Sequence, residues 1–351
     1  MHLFKLVFTL LMVLSLGQSC NYGSSGAEGT LVMGTYCSID LYENGTALLY
    51  KRLFARLSEL ELIFSANRDD SELAKINQNA GIEAVAISPE LYIVLERALY
   101  FAEETGGVYD PTVGPLVKLW GIGTENRIPG DEEIAAALDL INYRDVELKL
   151  IDGTSATAFL KRKGMALDLG SIAKGFAADE LCTILSEAGV PRALIDLGGN
   201  IYVWGKKKSG EPWNIGIQDP YGERGSYIGI LKLQDSCSVV SSGVYERFFT
   251  DQGKNYHHIM ELAENGKRGY PIENGILSTT IIAVSSMDAD ALSTACFLLG
   301  YEKGMALAAS RGAEIVYVME AKEKKEGKVI KGSPGAMAIF SMSPDMSSPA
   351  Y

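Results

Sequence analysis

At 351 residues, 47% apolar and 22% charged, the chain has the composition of a folded globular protein and not of a disordered or fibrous one. Its 32 Lys and Arg against 44 Asp and Glu give a formal charge of −12, which repels polyanions and excludes nucleic acid as the expected partner. Five cysteines (Cys20, Cys37, Cys182, Cys237 and Cys296) with no C-x-x-C pair, and only three histidines, argue against structural zinc or an iron–sulfur cluster.

Lys5 followed by the apolar run 6–16 reads as a secretory signal, too short to span a bilayer as a mature helix. Gly17-Gln18-Ser19-Cys20 resembles a bacterial lipoprotein cleavage box, with Gly17 where Leu is usual, so Cys20 is the expected lipidation site and residues 21–28 a flexible tether. A single folded domain is expected over 29–342, with a Ser- and Pro-rich loose tail at 343–351. Alternation predicts one strand over 30–42, and helical spacing predicts a helix over 47–64. Ser88 caps a helix running to 105, stopped by Gly106-Gly107. A short helix over 131–140, strands at 146–151 and 156–159, and a helix over 171–188 follow. Strands are then expected at 193–204, 213–218, 227–233, 238–241, 245–250, 257–261 and 279–284. Helices at 288–299 and 303–309 lead into a last strand pair at 314–319 and 336–340. Strands in runs, outnumbering helices, predict an α+β fold with largely antiparallel sheets and flanking helices.

Four segments carry chemistry. Residues 110–121 hold two prolines, two glycines and Trp120, a composition suited to a rigid loop offering backbone N–H groups to a phosphate or ring, and equally to a structural turn. Gly170-Ser171 stands at the mouth of a helix, where unpaired donors favour an anion, with Lys174 one turn inside; Ser171 as a plain N-cap explains the same residues. Asp290 and Thr294, spaced i and i+4, place a carboxylate and a hydroxyl on one helix face, hard donors suited to Mg²⁺, unless Asp288 or Asp290 only caps that helix. His257 and His258 adjoin on an expected strand, so at most one enters a pocket as an acid or base.

In order, Met33-Gly34-Thr35 and the segments 65–73, 110–121, 167–179, 194–200, 241–247, 256–259 and 289–294 resemble the ApbE family of FAD:protein FMN transferases. The resemblance implies an ApbE-like domain that binds FAD in a cleft with Mg²⁺ on its pyrophosphate. It implies metal ligands Asp290, Thr294 and the Ala173 carbonyl, and flavin or adenylate contacts from Met33, Asn67, Asp110, Pro111, Thr112, Gly170, Phe176, His258, Ile259 and Met260. His258 becomes the candidate acid/base. FMN would pass to a Ser or Thr hydroxyl of a target flavoprotein carrying an Asp-x-x-Ser/Thr-Gly-Ala-Thr type of motif, and AMP would leave. A lipid anchor would place the protein on the periplasmic face of the inner membrane. The chain departs from the family pattern at Asn67, where Tyr is common, at Asp196 (Asn), at Ser171 (Gly), and in the longer stretch 261–271. Two alternatives stay open: a Mg²⁺-dependent FAD pyrophosphatase yielding FMN and AMP, and a non-catalytic flavin-storing lipoprotein.

Overall fold

A computed structural model describes residues 26–151, 155–263, 267–321 and 327–343. The expected signal, Cys20, most of the tether and most of the tail lie outside the described residues. The chain opens with a hairpin of β1 (Glu28–Val32) and β2 (Thr35–Leu41). The single strand expected over 30–42 is broken because Met33 and Gly34 both take positive φ, 54° and 71°, which closes a two-residue primed turn. α1 (Ala47–Phe64) starts where Thr46 accepts the Leu49 N–H, and it buries Leu53, Leu57, Leu60 and Phe64 along one stripe.

α2 (Glu72–Gln78), absent from the sequence reading, is short and polar and depends on the Ser71 cap. β3 (Val85–Ile87) precedes α3 (Pro89–Glu104), capped by Ser88 with Pro89 at its first turn. The segment read as a rigid loop at 110–121 contains a helix, α4 (Gly114–Trp120). Leu116 and Trp120, one turn apart, are both fully buried, and Gly121 ends the helix in the left-handed region at φ 55°. α5 (Asp131–Leu138), β4 (Val146–Leu150), β5 (Ala156–Leu160) and α6 (Ala173–Glu187) follow.

Six strands come next: β6 (Ala193–Leu197), β7 (Asn200–Trp204), β8 (Trp213–Gln218), β9 (Tyr227–Leu233), β10 (Cys237–Gly243) and β11 (Phe248–Asp251). β12 (Lys254–His257) ends before His258, which sits in a bend, so the strand expected over 257–261 is not formed. β13 (Ile276–Ala283), α7 (Ser286–Leu299), α8 (Tyr301–Ser310), β14 (Glu314–Glu320) and β15 (Lys328–Gly332) complete the main body. The strand expected at 336–340 is instead α9 (Pro334–Ile339) with a short β16 (Phe340–Met342), because Ser333-Pro334 supplies a helix start; the partner of β14 is β15.

An eight-stranded sheet runs in the order β1-β2-β6-β7-β10-β13-β14-β15, and every pairing between these strands is antiparallel. The pleat divides its side chains between two cores. Val240 and Ile281 face the helices α1, α6 and α7, whereas Val239 and Ile282 face the sheet β16-β9-β8 with Trp213, Ile215 and Leu231. The result is an α+β fold of three layers.

Lys328 of β15 ties the smaller sheet down: its Nζ lies 2.5 and 2.6 Å from the two oxygens of Asp219, in the β8–β9 turn. Burial pushes the Asp219 carboxyl up, but Lys328 and the Tyr221 N–H outweigh it and hold the group below its usual value. The resulting stabilisation is present above the unfolded value near 4 and is lost as pH falls through the lower folded value. Lys328→Met should cost about 1–3 kcal/mol at pH 7, less than for a fully buried pair because Asp219 keeps its backbone donor. Urea unfolding at pH 7 and pH 3 checks this, since the wild-type advantage should shrink at the lower pH; a gap unchanged by pH would refute the ion-pair origin.

Candidate active site

Where α7 lies on β7, β10 and β13, the contact is made by small polar side chains. Asn200, Ser238, Thr279, Ser286 and Ser293 are fully buried, and Ser242 and Asp290 nearly so. Ser242 Oγ lies 2.7 Å from Ser293 Oγ and 3.2 Å from Thr294 Oγ1, and Thr279 donates to the Ser293 carbonyl at 2.6 Å. Such groups persist in a core only when they satisfy one another. The α6–α7 crossing is locked as well: Asp179 of α6 accepts from Ser286 N (2.9 Å), Met287 N (3.0 Å) and Ser285 Oγ (3.1 Å), so it serves the orphan donors at the start of α7. Asp288 is held by Arg97 of α3 through two 2.6 Å bonds and does not cap α7; Ser285 does.

The anion expected at the mouth of α6 comes from the protein itself. Asp290 Oδ2 accepts the Gly175 N–H at 2.9 Å, so the carboxylate of one helix docks on the first turn of the other. Ser171 is not the cap; its hydroxyl donates to Tyr109 at 2.9 Å. Asp290 is 3% exposed, and its nearest cation, Lys174 Nζ, stands 3.9 Å from Oδ1. Burial raises its carboxyl above the usual value against the pull of Lys174, the Gly175 N–H and Asn200. A buried carboxylate so incompletely compensated, with the Thr294 hydroxyl one helical turn on and the backbone of Ala173 opening α6, fits a hard divalent cation. Among the described residues no group of three or more His, Cys, Asp or Glu could hold a metal, so a cation here would take one carboxylate, hydroxyl or carbonyl oxygens, and water or substrate.

The other sequence candidates fall into two groups. Asp110 and Thr112 face inward. Asp110 Oδ1 accepts from Thr112 N and Oγ1 at 2.8 and 2.7 Å, Oδ2 accepts from Tyr143 N at 2.9 Å, and Thr112 Oγ1 accepts from Asn142 N at 2.9 Å. These side chains hold the loop's shape, and the Pro111 carbonyl joins it to Asp168 N at 2.8 Å. Phe176 is buried edge-on against Phe64, with ring centroids 5.5 Å apart. Met33 is half-buried in its turn, Gly170 is exposed with its N–H on Asp168 Oδ1, and Asn67 is exposed just past α1.

The second group meets at the end of the sheet formed by the Met33-Gly34 turn. Arg247 Nη2 reaches to 3.5 Å from where a Cβ on Gly34 would sit, and Glu246 Oε1 to 3.9 Å from the same point on Gly199. His257 is spent structurally: Nδ1 accepts from Ile259 N (3.3 Å), which leaves Nε2 to donate to the Ile272 carbonyl at 3.0 Å. His258 differs. Its Nδ1 donates to the Arg247 carbonyl at 3.3 Å, leaving Nε2 as the basic nitrogen, while the flanking Ile259 and Met260 are buried. Burial, helped by the Arg247 charge, pushes the His258 imidazole down to about 3, so it is neutral near pH 7. Burial also pushes Glu246 up to about 7, against Lys174 and with Asp290. Glu246 is nonetheless exposed and His258 half-buried, so both are open to solvent.

Sequence reasoning assigned no role to Glu246, Arg247, Ser242 or Asn200 in this cleft. Their signal was present, since each lies inside a matched segment, 194–200 or 241–247.

The sequence profile of the ApbE family matches residues 33–318. The FAD:protein FMN transferase of Treponema pallidum is 40% identical, over 82% of this chain and 84% of its own. That of Klebsiella pneumoniae is 36% identical, over 79% and 83%. Among solved structures, the ApbE protein of Thermotoga maritima superposes with a TM-score of 0.78 at 31% identity, covering 90% of this chain and 98% of its own. Flavin transferase ApbE of Vibrio cholerae gives 0.76 at 28% identity, covering 90% and 98%.

Proposed function

The chain belongs to the ApbE family, and from that premise we propose that it is an FAD:protein FMN transferase that uses Mg²⁺ to cleave the FAD pyrophosphate, attaches FMN to a Ser or Thr hydroxyl of an exported flavoprotein and releases AMP. The observation that carries this reading is the buried Asp290 carboxylate, whose only cation within 4 Å among the described residues is Lys174, with the Thr294 hydroxyl, itself 3.2 Å from Ser242 Oγ, one helical turn on. Asp290, Thr294 and the Ala173 carbonyl would hold the cation. Bound there, Mg²⁺ would offset the charge of the pyrophosphate and of the departing AMP. Lys174 and Arg247 add positive charge on the cleft walls. His258, with Nδ1 engaged by the Arg247 carbonyl, presents Nε2 to take the proton of the attacking hydroxyl. Met33, Asn67, the 110–112 loop, Gly170, Phe176, Ile259 and Met260 would shape the flavin and adenylate walls, Asp110 and Thr112 by fixing the loop's backbone. The acceptor would carry an Asp-x-x-Ser/Thr-Gly-Ala-Thr type of segment. Residues 1–20 support export and anchoring through Cys20 at the outer face of the inner membrane.

Incubation with FAD, Mg²⁺ and a peptide bearing that segment should give covalent flavin fluorescence on the peptide and one AMP per label, with nothing from Asp290→Ala. AMP without label would replace transfer by hydrolysis, and bound FAD left intact would favour storage.

Hydrolysis as a second activity has a specific support in Asn67. It is exposed and polar where the family commonly has Tyr, so an aromatic face worth about 1–3 kcal/mol of stacking is missing. Asn67→Tyr should therefore raise the fraction of purified protein that carries intact FAD, read from the absorbance ratio at 450 and 280 nm; an unchanged ratio would refute the stacking argument.

A further inference from the structure

We propose that the free edge of β11 is the docking site for the acceptor protein: an extended segment flanking its reacting Ser or Thr adds a third strand to the β11–β12 ribbon, in the groove between β11 and residues 126–128. This rests on the reading of the chain as one that transfers FMN to a protein, since such a reaction must bring a second polypeptide to the site. β11 and β12 form a two-stranded sheet of their own, closed by Gln252 and Gly253 at φ 46° and 79°, a two-residue primed turn. Such a turn makes Asp251 and Lys254 a hydrogen-bonded pair. Bonded pairs then recur at every second rung, at Phe249–Tyr256 and at Arg247–His258, where His258 N donates to the Arg247 carbonyl at 3.2 Å. Phe248 and Thr250 fall between these rungs, so their backbone N–H and C=O groups point away from β12. Among the described residues these groups have no protein partner.

The two edges of the ribbon differ. On the β12 side His257 Nε2 donates to the Ile272 carbonyl at 3.0 Å, and Lys254 pairs with Glu273 at 2.5 Å. The β11 edge instead opens on a groove of about 450 Å³ lined by Asn126, Ile128, Phe249, Thr250 and Asp251, within the range of about 300–1,000 Å³ usual for ligand sites. Phe248 and Ile128, 45% and 42% exposed, leave apolar surface beside it. Open backbone donors and acceptors next to an apolar slot are what strand addition uses, with main-chain bonds supplying the affinity. The ribbon is a firm platform, because Phe249 stacks on Tyr256 with ring centroids 5.2 Å apart and Tyr256 lies against Trp120 at 5.6 Å. Its position ties docking to chemistry: the rung after Phe248 is Arg247–His258, which carries the proposed base. An added strand lies two strand spacings, about 10 Å, from the strand that leads into His258, so the docked residues are not the reacting ones. The Ser or Thr hydroxyl sits a few positions on, where the acceptor crosses the base of the ribbon.

The test is the KM of an acceptor peptide, read from covalent flavin fluorescence at saturating FAD and Mg²⁺. The peptide is the Asp-x-x-Ser/Thr-Gly-Ala-Thr type of segment extended on each side by six residues of alternating Val, for strand propensity, and Lys, for solubility. Thr250→Pro removes the outward N–H without touching the bonds to β12, a position at which an edge strand accepts Pro. It should raise this KM about 10-fold, with kcat and FAD binding unchanged. Thr250→Val keeps the N–H and loses only the 2.7 Å bond from its hydroxyl to Asn255, so its KM should stay at the wild-type value. A Thr250→Pro chain that folds, binds FAD and keeps the wild-type KM would overturn the inference and leave transfer standing. So would an edge closed by a second copy of this chain, seen as a wild-type dimer in sedimentation that Thr250→Pro dissociates with KM unchanged. Should Thr250→Pro fail to fold, a peptide N-methylated along both extensions decides with the wild-type chain: a KM equal to that of the unmethylated peptide overturns the inference. A wild-type chain that labels no peptide and only hydrolyses or stores FAD overturns transfer itself, and this inference with it.

Discussion

Exchanging Asp290 for Asn is expected to lower FMN transfer at saturating FAD and Mg²⁺ by about 10³-fold or more, while making the metal-free protein more stable. The first effect follows from the proposed cation site: several kcal/mol of transition-state stabilisation would leave with a cation bound by Asp290, at 1.36 kcal/mol per tenfold. The second follows from burial. In the absence of metal, Asp290 is a carboxylate 3% exposed whose folded pKa is raised, with Lys174 at 3.9 Å as its closest positive partner. A group with a raised folded pKa contributes stability that is complete below the unfolded value near 4 and is lost as pH rises through the folded value. Asn keeps the shape, and its oxygen can still accept the Gly175 N–H, but it has no charge to desolvate. The melting temperature of Asp290→Asn in EDTA should therefore match wild type near pH 4 and exceed it at pH 8 by about 2–4 °C, the shift for roughly 1 kcal/mol in a large domain. Calorimetry in EDTA across that pH range reads it. A variant less stable than wild type at pH 8 would mean that the carboxylate is already well compensated and that the site has no deficit for a cation to fill.

Which parts of the molecule could be read from residues alone depends on how local their determinants are. α1, α3, β8 and β9 follow their local patterns because one stripe or one face of each is buried and the caps are conventional: Thr46 for α1, and Ser88 with Pro89 for α3. That Asp290 and Thr294 lie one turn apart on the same helix was visible for the same reason, since i, i+4 spacing is a local property. What escaped is non-local or locally improbable. A non-glycine residue at positive φ has no composition signal, so Met33 hid the hairpin turn. α4 is decided by burying Leu116 and Trp120 in a cluster with Met260 and Leu262, far along the chain. Asp110 looked like a ligand because it sits in an unusual loop, yet both its oxygens are taken by Thr112 and Tyr143, a partner more than thirty residues away. Lys174 was legible as a positive charge beside the mouth of α6, but its approach to Asp290 joins two elements, and no spacing rule reaches that far.

Gly175→Ala tests whether the helix crossing itself sets the site. Two effects of opposite sign compete there. Replacing a glycine in the first turn of α6 gains at most about 1 kcal/mol of helix propensity. Against this, a Cβ on Gly175 would lie 2.6 Å from Met287 Cα and from the Ser286 carbonyl carbon, and closer still to the Ser286 carbonyl oxygen. These are backbone atoms of α7, pinned by the Asp179 bonds to Ser286 N and Met287 N, so they cannot swing aside as a side-chain end would. Overpacking of this kind costs about 1–3 kcal/mol, more than the propensity gain, so net destabilisation is expected. The larger consequence is catalytic. Ordinary carbon contacts of about 3.5 Å require α7 to retreat by roughly 1 Å, carrying Asp290 and Thr294 away from Ala173 and from the Gly175 N–H. A displacement of that size can cost about 10²-fold in rate, and Mg²⁺ affinity should fall with it. The pairing of results is diagnostic: lower urea midpoint, lower kcat at saturating FAD, and a higher Mg²⁺ requirement together. A Gly175→Ala chain that unfolds at higher urea and turns over at the wild-type rate would show that α6 and α7 can separate freely, and that the close approach at Gly175 does not position the metal ligands.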